Sequence, residues 1–208
     1  TDKSLNIIKK YEKKIDYWVS EKDNGIYDAF NKGMTISKGE FIGFINSDDI
    51  YKKNALNIIS NYIKKNNFAD FIFGSVKKHW GILHGYKPHK IKYSWGFYSS
   101  HSTGFFIKRK VAEKVGFYNI KYKYHADYDY FYRLIVKNKM KGISTKKNEI
   151  VGIFRRGGFS SRISFWKKLK EDIRIRYDNG QNIFLLVLIF SNKFLRNIDQ
   201  ILKDNIKK

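Results

Sequence analysis

Residues 41–49 read Phe-Ile-Gly-Phe-Ile-Asn-Ser-Asp-Asp, an apolar run that stops on Asn46, Asp48 and Asp49. In open α/β sheets ligands collect beyond the carboxyl ends of strands, so this is where such a strand would present its chemistry. Two adjacent carboxylates repel each other unless a cation lies between them, and a hard divalent metal suits their oxygens. Such an ion can bridge to a diphosphate and stabilise its charge as it leaves. Ser-Asp-Asp after a strand is also a good helix N-cap, and residue type alone keeps both readings open. A second acidic group lies in His125-Ala-Asp127-Tyr-Asp129-Tyr-Phe-Tyr-Arg133, where Asp127 reads by itself as the acidic cap of a helix.

The elements that must position these groups follow from periodicity. Leu5, Ile7, Ile8 and Tyr11 predict a helix over 4–14, and the β-branched and aromatic residues of 15–19 predict a short strand. Residues 25–37 read as a helix with Ile26, Ala29, Phe30, Gly33 and Met34 inward, and 41–45 as a buried strand. A helix over 53–65 and a strand over 69–76 complete a strand–helix alternation typical of an α/β sheet with crossover helices. Residues 77–100 are aromatic, basic and irregular. Beyond them, 101–108 reads as a strand, 109–115 and 127–138 as helices and 149–154 as a strand. Residues 165–177 and 182–207 read as basic helices after a glycine-bearing loop.

Around these residues the chain resembles the family-2-type glycosyltransferases of GT-A fold. The stretch from Ser20-Glu21 through Gly25-Ile-Tyr-Asp28-Ala-Phe-Asn31-Lys-Gly33 to Gly39-Glu40 and Asn46-Ser-Asp48-Asp49 is similar to the family's "SE-D-GIYDA-NKG … GE-I-FLNSDD". The last piece matches the DxD metal motif, with Asn46 in place of its first acid. The resemblance implies that Asp48 ligates Mn²⁺ or Mg²⁺ on a nucleotide-sugar diphosphate. It also implies that Asp28, Asn31, Asn46 and Asp49 lie near that donor. Residues 125–134 resemble "ED-DL-LRL", which makes Asp127 the general base for an acceptor hydroxyl. His101-Ser-Thr-Gly-Phe-Phe-Ile-Lys-Arg resembles the acceptor-facing segment, so His101 and Asp129 are expected at the acceptor. Arg155-Arg156-Gly-Gly-Phe-Ser resembles the "R-GG-S" loop, whose Arg155 and Arg156 would neutralise the departing diphosphate.

The expected fold is therefore a GT-A-like, Rossmann-type mixed sheet flanked by helices over 1–161, followed by a basic helical segment over 162–208. The expected activity is inverting, metal-dependent sugar transfer to a saccharide or lipid-linked acceptor, of the kind used in bacterial cell-surface polysaccharide, lipopolysaccharide or glycolipid synthesis. Thr1-Asp-Lys-Ser resembles the end of the family's "DGGSTDGT" stretch, so the one or two strands that normally precede it, with the base-recognising acid, are expected to be missing.

Composition frames this reading. The 208 residues carry a net charge of +23, 42% hydrophobic and 17% aromatic residues, and no cysteine. That suits one cored domain and excludes a disulfide scaffold or cysteine-ligated zinc. Glu21, Asp23, Asp28, Glu40, Asp48 and Asp49 crowd one stretch, whereas 77–93 and 155–208 are basic. An acidic centre with basic flanks suits a metal and a phosphate-bearing ligand. The basic flanks also suit an anionic inner leaflet, hence a cytoplasmic protein peripheral at the membrane. Trp80, Tyr86, Tyr93, Trp95 and Tyr98 among lysines raise a nucleic-acid-binding alternative. No recognised nucleic-acid motif accompanies them, so no nucleic-acid partner is expected. An inactive remnant of a transferase is the third reading. The longest apolar run, 183–190, is too short to span a bilayer.

Overall fold

A computed structural model describes residues 2–93, 101–155 and 163–198. The chain opens with α1 (Ser4–Lys10) and a 3₁₀ turn over Glu12–Lys14. The strand expected at 15–19 is not formed, and Tyr17 and Val19 are exposed. A strand needs a neighbour to take its N–H and C=O groups, and among the described residues no strand pairs with this stretch. Helix α2 (Ile26–Ile36) follows, its start set by Gly25 at φ 112° and by Asp28, which folds back to accept the Asn24 N–H at 2.9 Å.

Next come β1 (Phe41–Gly43), β2 (Ile50–Tyr51), α3 (Ala55–Lys65), β3 (Phe71–Phe73), β4 (Ser75–Lys78) and β5 (Gly81–Leu83). After the short α4 (Lys90–Tyr93) and a 3₁₀ turn over Ser102–Gly104 lie β6 (Phe105–Lys108), α5 (Arg109–Val115) and α6 (Ala126–Tyr132). Helix α6 widens into a π turn over Arg133–Lys137. Then come β7 (Gly142–Ser144), β8 (Ile150–Ile153), α7 (Phe165–Asp178) and α8 (Ile183–Arg196). The expected helix over 182–207 is thus described to Arg196, and residues 199–207 lie outside the described part.

Two four-stranded sheets result, in orders β1-β6-β3-β7 and β2-β8-β4-β5. The β3–β7 and β4–β8 pairs are parallel and the rest antiparallel, so each sheet is mixed. The single strand expected over 69–76 is two strands in two sheets. It breaks at Gly74, whose N–H leaves the ladder for the Gly104 carbonyl at 2.7 Å and where a side chain would run into Val151. Strand β7 was not apparent as a strand in the sequence, because its three residues are only partly buried and carry no alternation.

The aromatic share of the composition is spent on the core. Phe71, Phe73, Phe105 and Phe131 meet as tilted and edge-to-face rings 4.9–6.2 Å apart. Tyr118 stacks on Tyr130 at 4.2 Å, and Phe30 and Phe44 join that stack from α2 and the end of β1. Aromatic packing of this kind adds roughly 0.5–1.5 kcal/mol per pair beyond burial. At Gly43 a Cβ would stand 2.6 Å from the Phe106 ring, so β1 can lie against β6 only with glycine there.

Candidate active site

The chain leaves β1 at Gly43 and delivers Asn46, Ser47, Asp48 and Asp49 in one tight turn, closed by the Asp49 N–H on the Asn46 carbonyl at 3.1 Å. The two neighbouring carboxylates then part. Asp49 is buried: its Oδ2 accepts from Thr103 Oγ1 at 2.6 Å and Asn46 Nδ2 at 3.0 Å, and its Oδ1 accepts the Arg155 N–H at 3.3 Å. The His101 Nδ1 lies 3.4 Å from the same Oδ2. Asp48 accepts no hydrogen bond from a described residue and lines a cavity of about 1060 Å³.

Asp127, in the first turn of α6, lines the same cavity. Its Oδ1 accepts from the Tyr128 N–H at 2.9 Å and from Tyr27 Oη at 3.3 Å. Its Oδ2 takes no hydrogen bond from the described residues. The two acidic clusters, distant in sequence, therefore converge on one space.

His101 stands between them. Its ring packs at 4.6 Å on Phe154 and also meets Ser102 Oγ at 3.2 Å. Burial and the Lys78 charge lower its pKa from the ordinary value, while Asp49, Asp127 and Asp48 oppose that shift. Lys78 holds its ammonium 4.6 Å over the Phe154 ring. Its pKa is lowered by burial, against the pull of Asp49 and Asp127.

Four expected donor- or acceptor-binding residues do structural work. Asp28 caps α2 and has Lys32 at 3.8 Å. Asn31 exchanges two hydrogen bonds with the Tyr118 backbone, at 2.8 and 2.9 Å. Neither lines the cavity, because α2 turns Ile26, Tyr27, Ala29 and Phe30 towards it. Asp129, expected at the acceptor, is buried against Arg133 Nε at 2.9 Å and Asn179 Nδ2 at 2.8 Å, and also stays outside the cavity wall. Asn46 does line the cavity, but its amide is committed to Asp49 and Ser102. Arg155 enters through its backbone N–H, and Arg156 lies outside the described residues.

Other groups at the cavity were not singled out from the sequence. Lys78 and Lys123 belong to basic stretches with no motif of their own, and His125 sits within a stretch noted only for its acids. The buried His125 Nδ1 has no hydrogen-bond partner among the described residues. Lys168, Asp172 and Lys193 come from α7 and α8, which reach the same wall. A carboxylate from α7 also fixes the approach to α6: Glu171 accepts the N–H groups of Lys123, Tyr124 and His125 at 2.6, 2.7 and 2.8 Å.

No group of three or more His, Asp or Glu with metal-binding geometry occurs among the described residues. The Asp48 carboxylate, open to the cavity, fits a hard cation that takes most of its oxygens from substrate phosphates and water, as Mg²⁺ does.

Comparison with known proteins places this architecture. An uncharacterised glycosyltransferase of Methanocaldococcus jannaschii is 28% identical over 148 residues, 65% of this chain and 51% of that one. A PGL/p-HBAD biosynthesis glycosyltransferase of Mycobacterium bovis is 26% identical over 167 residues, 74% of this chain and 61% of that one. The chain thus spans between about half and three fifths of the length of these relatives. The crystal structure of Staphylococcus aureus TarS residues 1–349 in complex with UDP-GlcNAc superposes with a TM-score of 0.65 at 16% identity, covering 96% of this chain and 61% of that one. It shares the fold, and the mixed sheets with flanking helices are those of a GT-A protein. Residues 1–127, from α1 to Asp127 itself, match the profile of Glycosyl transferase family 2, and the chain belongs to that family.

Proposed function

We propose that this chain carries the catalytic part of an inverting glycosyltransferase that moves a sugar from a nucleotide-diphosphate donor to an acceptor hydroxyl. The observation that carries the reading is the convergence of Asp48 and Asp127 on one cavity. Its volume is ample for a nucleotide sugar, since small-molecule sites run to roughly 1,000 Å³. The TarS structure, named for its UDP-GlcNAc complex, supports a nucleotide-sugar donor in this fold.

In this reading Asp127 Oδ2 takes the proton of the acceptor hydroxyl as its oxygen bonds to the anomeric carbon and the anomeric bond to the diphosphate breaks. One in-line displacement needs one base and no covalent nucleophile, hence inversion. Mn²⁺ or Mg²⁺, held by Asp48 and the donor's own phosphate oxygens, would neutralise charge on the departing diphosphate. Lys78 adds a fixed positive charge to the same region, and a neutral His101 can hydrogen-bond either phosphate or acceptor. Asp49 serves by position, locking the Asp48 turn to residues 101–103 and to Arg155.

A lipid-linked or saccharide acceptor at an anionic membrane face is part of the proposal. Among the described residues no helix is long and apolar enough to cross a membrane. Helix α8 nevertheless leaves Phe184, Val187, Leu188 and Leu195 exposed, with the exposed Arg196 in its last turn, as helices lying in a bilayer interface do.

The test is Mn²⁺-dependent turnover over a panel of nucleotide sugars. Asp127→Asn is expected to cut turnover by about 10²–10⁴-fold while donor binding persists. Undiminished turnover in that variant overturns the assignment. Salt-sensitive oligonucleotide binding without any donor turnover would favour a nucleic-acid module instead.

A further inference from the structure

Tyr27, in the first turn of α2, reaches Asp127 from a different element. Its Oη donates towards two acceptors, the Tyr124 carbonyl at 3.2 Å and Asp127 Oδ1 at 3.3 Å. The Tyr128 N–H also donates to that Oδ1, at 2.9 Å, but it belongs to α6 and moves with it. A carboxylate held by one local N–H can still swing about that bond. A second donor, fixed elsewhere in the fold, stops the swing.

Tyr27 is itself fixed by a pile of rings. It stacks on Tyr118 with centroids 5.6 Å and planes 21° apart, and meets Phe30 edge-on at 6.1 Å. Tyr118 in turn stacks on Tyr130 of α6 at 4.2 Å and 17°. Asn31, one turn after Tyr27 on α2, holds Tyr118 in the pile, accepting its N–H at 2.8 Å and donating to its carbonyl at 2.9 Å. Helices α2 and α6 are thus keyed together through the rings, and the phenol oxygen of Tyr27 lands on the carboxylate. Tyr124, its other acceptor, has its own N–H on Glu171, so the same hydroxyl also ties in the segment that α7 holds.

We propose that Tyr27 is a positioning residue for Asp127, its hydroxyl fixing the plane of the carboxylate so that Oδ2 stays turned to the acceptor. The inference rests on the transferase reading for the word acceptor, and on the ring pile and the hydrogen bond alone for the hold on Asp127.

The experiment compares the parent chain with Tyr27→Phe, which keeps the ring and removes only the hydroxyl. In the Mn²⁺-dependent nucleotide-sugar assay kcat is expected to fall about tenfold, while calorimetric affinity for UDP plus Mn²⁺ is unchanged. A donor to the ionised carboxylate favours that form, so its removal should move the acid limb of the kcat profile to higher pH. Lys78, His101 and Tyr118 also feel the Asp127 charge, and Lys123 and His125 line the same cavity; these groups are common to both proteins. In the Asp127→Asn background Tyr27→Phe should cost nothing further, since the group it serves is gone. Additive losses in the double variant, or a pH profile that does not move, overturn the proposal. UDP affinity that weakens as much as turnover also overturns it, because Tyr27, which lines the cavity, would then be a contact of the donor. An NMR label on Tyr27 Cζ reads the hydrogen bond without turnover. Its resonance should step as the pH falls through the carboxylate range and stay still in Asp127→Asn, and the lack of any step overturns the pairing. That step in a chain that turns over no nucleotide sugar upholds the hold of Tyr27 on Asp127 and overturns the transferase reading.

Discussion

Asp48 and Asp49 are neighbours in the chain and opposites in environment. The first faces open cavity, and the second is held by three hydrogen-bond donors and a histidine. Asp49→Ala is therefore expected to lower unfolding free energy by about 3 kcal/mol, because it strands Thr103 and Asn46 in a buried space; denaturant titration of the two proteins measures it. His101 ties stability to pH. Burial disfavours its protonated form in the fold, so the unfolded chain takes the proton first, near the ordinary value of 6.5. Its contribution is complete above that pH and is lost as the pH falls below it. Melting temperatures between pH 7.5 and 5 should decline less in His101→Gln than in the parent. That Asp48 and Asp127 would face one space was legible in the sequence because each sits in a compact local motif, at the end of a strand or the start of a helix. Asp129, expected at the acceptor, does not line the cavity for a reason helical geometry supplies: two residues on from Asp127, it points to a different side of α6. That Asp28 and Asn31 do not line the cavity was not legible, because a polar residue on α2 reads the same whether it faces ligand, solvent or a neighbouring backbone.

At the scale of elements, helix α7 determines where α6 begins. Glu171 gathers three successive N–H groups immediately before Ala126, and Asn179 and Arg133 anchor Asp129 one turn further on. Glu171→Gln keeps one good acceptor oxygen and loses the charge. It should reduce kcat by about tenfold with little change in donor KM, since displacing a base by a fraction of an ångström is costly. Steady-state kinetics separate the two parameters. An unchanged kcat would mean that α6 holds its own place. The widened turn at Arg133 serves the same anchoring, for its guanidinium reaches the Val115 and Phe117 carbonyls at 2.7 Å each while Nε holds Asp129. Such π turns recur near functional sites. Most helices were legible from apolar spacing, and β1 and β6 from their runs of buried residues. The division of 69–76 between two sheets was not, because it depends on Val151 pressing against Gly74 from a distant part of the sequence. The role of α7 was equally hidden, since nothing local distinguishes a helix that floats in solvent from one that grips another.

For the whole molecule, the charge of +23 and the apolar outer face of α8 act together. The chain is expected to float with vesicles containing anionic lipid, to release as salt rises, and to lose much of this behaviour in Phe184→Glu. Flotation that is indifferent to lipid charge would remove the membrane from the proposal. The long reach of the contacts around Asp49 carries one more consequence. That carboxylate collects partners from residues 46, 101–103 and 155, and the wall opposite comes from two helices beyond residue 163. A ribosome that has just passed residue 150 has already made both acids but not the frame that holds them. Chemical competence thus waits for α7 and α8, and a nascent chain interrupted between β8 and α7 would be inert towards the sugar nucleotides around it.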